Sequence, residues 1–237
     1  EWLLLYPEMD GYGAKEPFTP PFTQYDRLFT SSKIARVREG GFSYTLMEGK
    51  ANFLYFQNGS LSMYMVIYAN LCDRRNFVPS SLQRVEGGYQ LTAHAEGWYY
   101  LPFYPLKPAT SDWWEMDNPN TRPKIQGLPL DTTVTVIKRD GGIDVSLHTE
   151  GIDQLPLRVE LGFPPDCQVR SDSFILQGKA GESITLLRGD AEVRGAAGEV
   201  ITLSPAFGLH NVRARSGGAY PQSQEHFTVY LTDYTPV

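Results

Sequence analysis

From Ile34 onward, apolar residues recur at every second position, in segments separated by glycine turns. This alternation is the strongest constraint on the fold, because only a strand places residues i, i+2 and i+4 on one face. Residues 143–149 show it plainly, with Ile143, Val145 and Leu147 inward and Asp144, Ser146 and His148 outward. Residues 157–163 repeat it, with Arg158 and Glu160 outward. In residues 61–71 one face holds Leu61, Met63, Met65 and Ile67, and the other holds Tyr64, Val66 and Tyr68. A strand apolar on both faces is expected to be covered on both.

The punctuation agrees. Asn58-Gly59 is the strongest hairpin signal, supported by Gly40-Gly41, Gly49-Lys50, Gly87-Gly88 and Asp140-Gly141-Gly142. Together these signals predict strands at 34–38, 42–48, 51–57, 61–71, 81–85, 89–95, 98–101, 132–139, 143–149 and 157–163. More follow at 173–177, 182–187, 191–194, 199–203, 210–213 and 226–231. No stretch longer than about ten residues carries a helical period. A chain of 237 residues with this pattern is expected to be all-β, a large antiparallel sandwich of supersandwich type. It is read as one sandwich or as two packed sub-sandwiches divided near residues 105–130.

Four regions follow from this reading. Residues 1–33 are rich in proline and aromatics, including Pro7, Pro17, Pro20, Pro21, Trp2, Tyr6 and Phe18, and read as an irregular arm or linker. Residues 34–108 form a first β-half, 109–130 a Trp-rich connecting loop, and 131–237 a second β-half. The formal charge of −6 and the lack of any basic run argue against a nucleic-acid partner. No apolar run reaches the roughly 18–20 residues of a membrane-spanning helix. The first residues lack the basic start and small-residue cleavage site of a signal peptide, and no Met stands at position 1, so an excised C-terminal piece is expected. Cys72 and Cys167 are read as buried free thiols, and without a C-x-x-C pair cysteine-bound zinc is not expected. No Gly-x-Ser-x-Gly elbow and no phosphate-binding glycine loop occurs.

The connecting loop supplies candidate binding residues. Trp113 and Trp114 offer ring faces for sugar C–H patches, and Asp112, Glu115, Asp117, Asn118, Asn120 and Arg122 offer planar groups for hydroxyls. Adjacent Trp in an extended segment point oppositely, so one can seal the core while the other stays free. The loop's three carboxylates alone do not make a glycosidase pair. The four histidines are His94, His148, His210 and His226. His210 and His226 are the weak catalytic candidates, because the last strands could bring them together beside a carboxylate for acid–base work. No metal ligand set is assigned and no cofactor is expected.

Several segments resemble a known family. They are residues 36–46 (Arg-Val-Arg-Glu-Gly-Gly-Phe-Ser-Tyr-Thr-Leu), 53–59 (Phe-Leu-Tyr-Phe-Gln-Asn-Gly), 155–163 (Leu-Pro-Leu-Arg-Val-Glu-Leu-Gly-Phe) and 205–212 (Pro-Ala-Phe-Gly-Leu-His-Asn-Val). Their order resembles the galactose-mutarotase-like supersandwich that follows the helical toroid in polysaccharide lyases and heparinase II/III-like proteins. The resemblance implies a carbohydrate-associated C-terminal domain that contributes a glycan-contacting wall. The catalytic groups would lie in an upstream helical domain of the same protein. It also implies a polysaccharide or oligosaccharide partner and a secreted, periplasmic or cell-surface location. Two other readings stay open: a mutarotase- or epimerase-like enzyme using a His and a carboxylate, and a scaffold that docks a catalytic neighbour.

Overall fold

The computed structural model describes residues 24–71, 73–101, 123–211 and 223–237. Among these, seventeen strands and no helix are found. The first half holds β1 (Gln24–Phe29), β2 (Ile34–Glu39), β3 (Phe42–Met47), β4 (Leu54–Asn58), β5 (Leu61–Leu71), β6 (Asp73–Asn76), β7 (Ser81–Val85) and β8 (Gly88–Tyr100). The second holds β9 (Lys124–Arg139), β10 (Gly142–Gly151), β11 (Pro156–Phe163), β12 (Gln168–Ser171), β13 (Ile175–Gln177), β14 (Ser183–Thr185), β15 (Arg188–Arg194), β16 (Val200–Phe207) and β17 (Phe227–Tyr234).

These strands form three sheets. A nine-stranded sheet runs β1-β2-β3-β4-β5-β11-β17-β14, with β6 added to β5. Two four-stranded sheets run β10-β9-β8-β7 and β13-β12-β15-β16. All strand ladders are antiparallel except β14 on β17, and an isolated parallel bridge joins Gly208 to Thr232. The all-β sandwich expectation holds, and the core explains it. Val37, Tyr44, Leu46, Phe56, Met63, Leu161, Phe163 and Val229 line one face of the large sheet, and all are buried. They pack against Tyr89, Leu91, Val134 and Val136 of one small sheet and Val169, Ala191, Val193 and Ile201 of the other, in a single apolar cluster. The large sheet thus has an inner face carrying both small sheets and an outer face that neither touches.

Pairing crosses the expected midline. β5 pairs with β11, and β8 pairs with β9, so the two halves are interleaved and are not separate sub-sandwiches. Period-2 patterning cannot foresee which strands become neighbours, because pairing across about ninety residues is decided by face-to-face burial. Residues 24–29, read as part of an irregular arm, are instead the edge strand β1, in full register with β2. Asp26 fixes that strand: Arg84 donates to its Oδ1 at 2.8 Å, and the Tyr89 hydroxyl bonds the same oxygen. Burial pushes the Asp26 carboxyl up, but the hydrogen bonds from Arg84 and Tyr89 outweigh it and hold the group below the usual range. Strand β9 begins at Lys124, inside the segment read as loop, and the two expected strands at 89–95 and 98–101 are one continuous β8.

The Asn58-Gly59 signal marks the right turn with a one-residue offset. Asn58 pairs with Leu61, so Gly59 and Ser60 are the two turn residues, and only Gly59 has positive φ, at 58°. That matches the type II′ form. A Cβ on Gly59 would also stand 2.7 Å from the Glu199 side chain. Glu199 receives the Ser60 backbone N–H at 2.9 Å and its hydroxyl at 2.6 Å, while Asn58 Nδ2 donates to the Val200 carbonyl at 2.9 Å. The hairpin therefore clamps the third sheet to the first. The hydrogen bonds from Ser60 hold the Glu199 carboxyl below its ordinary value. Cys167 is a buried free thiol, as expected, and burial raises it to about 11; Cys72 lies outside the described residues.

Candidate functional site

The outer face of the large sheet collects its chemistry from residues that alternate with the core. On β1 these are Tyr25, Arg27 and Phe29; on β2, Arg36 and Arg38; on β3, Ser43 and Thr45; on β4, Tyr55 and Gln57. The register places them in rows. Arg27 faces Arg36, which faces Thr45, which faces Tyr55; Tyr25 faces Arg38, which faces Ser43, which faces Gln57. Arg27, Arg36 and Arg38 are exposed, and Tyr55 is 41% exposed. Among the described residues none of these three guanidiniums has a carboxylate partner.

Like charges directly opposite across a ladder are destabilising, so Arg27 against Arg36 asks for a reason. Cations on an edge strand do discourage edge-to-edge pairing. That purpose is served by charge on β1 itself, yet two of the three arginines stand on β2. The arrangement suits an anion better: planar guanidiniums bind carboxylate or sulfate in bidentate fashion. Ser43, Thr45 and Gln57 add neutral hydrogen-bonding groups, and Tyr55 adds an open ring.

The same face continues on β5, β11 and β17 with a different character. Arg158 and Glu160, read as outward residues, are 2% and 5% exposed. The alternation assigned them to the correct side; that side is closed to solvent there. Arg158 Nε donates to Glu160 Oε1 at 3.0 Å, and its Nη2 stands 2.9 Å from the same oxygen. The guanidinium lies 5.2 Å from the Tyr68 ring centre and 4.9 Å from that of Tyr230, a cation held between two π faces. Beside it, Tyr64 lies over its cross-strand partner Gly162, where a Cβ would stand 2.1 Å from the ring. His226 meets Tyr64 edge-on at 4.9 Å.

The two catalytic candidates are not brought together. His226 immediately precedes β17 and bonds Ser223 Oγ through Nδ1 at 2.8 Å. His210 sits at the far end of that strand, its Nε2 shared between the carbonyls of Asp233 at 2.8 Å and Leu157 at 3.1 Å. Seven residues of strand at about 3.3 Å each put them roughly 20 Å apart. The expected juxtaposition is therefore corrected: β17 is one strand lying between them, and no paired strand folds them onto each other. His94 bonds Asp131 Oδ1 at 2.8 Å, which raises its pKa, and lines a cavity of about 320 Å³ with Ile67, Phe77 and Leu130. His148 bonds Glu150 at 3.0 Å on the surface. Among the described residues no group of three or more His, Cys, Asp or Glu is placed to hold a metal ion.

The loop candidates Asp112, Trp113, Trp114, Glu115, Asp117, Asn118, Asn120 and Arg122 lie outside the described residues. The arginine face was missed at the sequence level. Its visible signal was Arg36-Val-Arg38, two cations two residues apart on a strand whose alternate residues Ala35 and Val37 are apolar. Arg27 was hidden because its strand was not recognised. Among the described residues no helix is long and apolar enough to cross a membrane. Comparison with protein-family models, curated proteins and solved structures gives no match.

Proposed function

We propose that this chain is a carbohydrate-associated β-sandwich domain whose large sheet presents a glycan-contacting wall on its outer face. The observation that carries the reading is the cluster of Arg27, Arg36 and Arg38, exposed beside Tyr55 and without a carboxylate partner among the described residues. Guanidiniums would take the acidic groups of a glycan, and the Tyr55 ring would take a sugar C–H face. The Trp113–Trp114 loop is a second contact in the same proposal. The resemblance to polysaccharide-lyase and heparinase II/III-like sandwiches extends it: the chemistry would belong to an upstream helical domain, and this chain would supply one wall of the cleft. The tied, separated His210 and His226 give no support to the epimerase-like reading.

The test is calorimetric titration with oligogalacturonate and with neutral cello-oligosaccharide, for the parent, Arg36→Gln/Arg38→Gln, and Trp113→Ala/Trp114→Ala. The acidic oligosaccharide is expected to bind in a salt-sensitive way and to lose at least tenfold in affinity in the arginine variant. No binding by the parent, or equal binding by the arginine variant, defeats the assignment to this face. A loss confined to the tryptophan variant moves the wall to the loop.

A further inference from the structure

We propose that the slot between β10 and β16 accepts an extended segment of a partner polypeptide, added as a strand on the free edge of β10. This slot is on the opposite side of the large sheet from the arginine face, and the inference does not depend on glycan binding. The two small sheets lie side by side on the inner face, and among the described residues β10 is the edge of one, β16 the edge of the other, and no ladder joins them. Between them opens a cavity of about 410 Å³. Its floor is Met63, Met65 and Val159 of the large sheet, and its β10 wall is Ile143, Val145 and Leu147.

The backbone of β10 is already turned toward this gap. Thr149 N–H does not bond across to β9; it donates to the carbonyl of Val237 at 2.6 Å, and Val237 N–H returns a bond to Thr149 Oγ1 at 2.9 Å. In an antiparallel ladder alternate residues direct both backbone groups the same way. With β10 in unbroken register on β9, Leu147, Val145 and Ile143 therefore aim their N–H and C=O groups at the open edge, as Thr149 does. Val237 occupies the first position of a strand that the rest of the edge is prepared to continue. The opposite edge is less suited, since Pro205 in β16 has no N–H to give.

The chemistry of the occupant follows from both sides of the slot. Its inward residues must be apolar to complete the floor of Met63, Met65 and Val159. Its outward residues meet Asp190 beside Ser204, an exposed carboxylate with no ion pair among the described residues. They also meet Asp144 and Glu150 on β10, exposed carboxylates paired only at the surface with Arg139 and His148, where such pairs are weak. Lysine or arginine suits all three. The partner is thus a strand alternating apolar and basic residues, about five or six residues long at 3.3 Å each.

The experiment uses the full chain and a fluorescein-labelled, end-blocked octapeptide alternating valine and lysine, followed by anisotropy. Two control peptides carry either N-methyl groups on alternate amides or glutamate in place of lysine. The parent peptide is expected to bind, both controls to lose at least tenfold, and saturation to slow hydrogen exchange at Ile143, Val145 and Leu147 at least tenfold. Val145→Pro, which removes one edge N–H, is expected to weaken binding similarly; the N-methylated peptide makes the same test without altering the protein. Failure of the parent peptide to bind, equal binding of the N-methylated peptide, or unchanged exchange at those three amides overturns the proposal. Occupation of the cavity by decanoate with no peptide binding would assign it to small apolar ligands and overturn it likewise.

Discussion

Arginine serves two opposite purposes on one face of the large sheet. Arg158 is enclosed, paired with Glu160 and stacked between Tyr68 and Tyr230. Arg27, Arg36 and Arg38 stand in solvent, Arg27 and Arg36 facing each other and the row continuing to tyrosine, serine and threonine, with no carboxylate partner among the described residues. A buried guanidinium must have its charge answered inside the protein, because removing it from water costs several kcal/mol. An exposed one is answered by water until an anion arrives. The same side chain is a fixed part of the structure in one place and an available ligand group in the other; desolvation makes the difference.

The comparison breaks most easily at Arg158. Arg158→Met is expected to cost about 3–5 kcal/mol by removing the guanidinium that answers the buried Glu160 carboxylate. Arg158→Met/Glu160→Leu should recover most of that loss, since replacing the whole pair with apolar groups is often near neutral. Denaturant unfolding of both variants checks it, and a double variant as unstable as the single would show that the pair is worth more than its desolvation. Next comes Gly162→Val, which drives a side chain into the Tyr64 ring and is expected to cost about 1–3 kcal/mol by overpacking. Tyr64→Ala in the same background should return part of it, as thermal unfolding would show.

The open end should behave otherwise. Arg27→Gln is expected to change stability by no more than about 0.5 kcal/mol, in the stabilising direction, because it removes a cation directly facing Arg36. Any gain should shrink in high salt. The smallest effect is the exposed pair His94–Asp131, the surface counterpart of Arg158–Glu160. The hydrogen bond to Asp131 raises the His94 pKa above its ordinary 6.5. Its stabilisation is therefore complete below that ordinary value and is lost as pH rises through the folded-state value. Imidazole titration by NMR should shift down toward the ordinary value in Asp131→Asn, with Glu96 still raising it, and no change there would remove Asp131 as the cause.

Local order was legible in the residues. Gly59 marked a hairpin, Asp140-Gly141 another, and the alternation at 143–149 assigned every side chain of that stretch to its correct face. Where reading failed, a distant partner had decided. β1 carries Gln24, Asp26 and Arg27, poor strand material, and it is a strand because Asp26 is held by Arg84 and Tyr89 some sixty residues away. The arginine face stayed hidden for the same reason, since the three arginines become a cluster only once β1 lies on β2.

By itself, then, the sequence determined the strand class, most turns and the parity of each strand, because these depend on backbone sterics and a two-residue period. Tertiary structure alone decided that β5 joins β11, that Arg158 is enclosed while Arg36 is open, and that β10 forms a ladder only with β9 among the described residues, above an apolar floor. Those outcomes depend on which surfaces lose water to each other. That is a property of the whole packed chain, and no local window contains it.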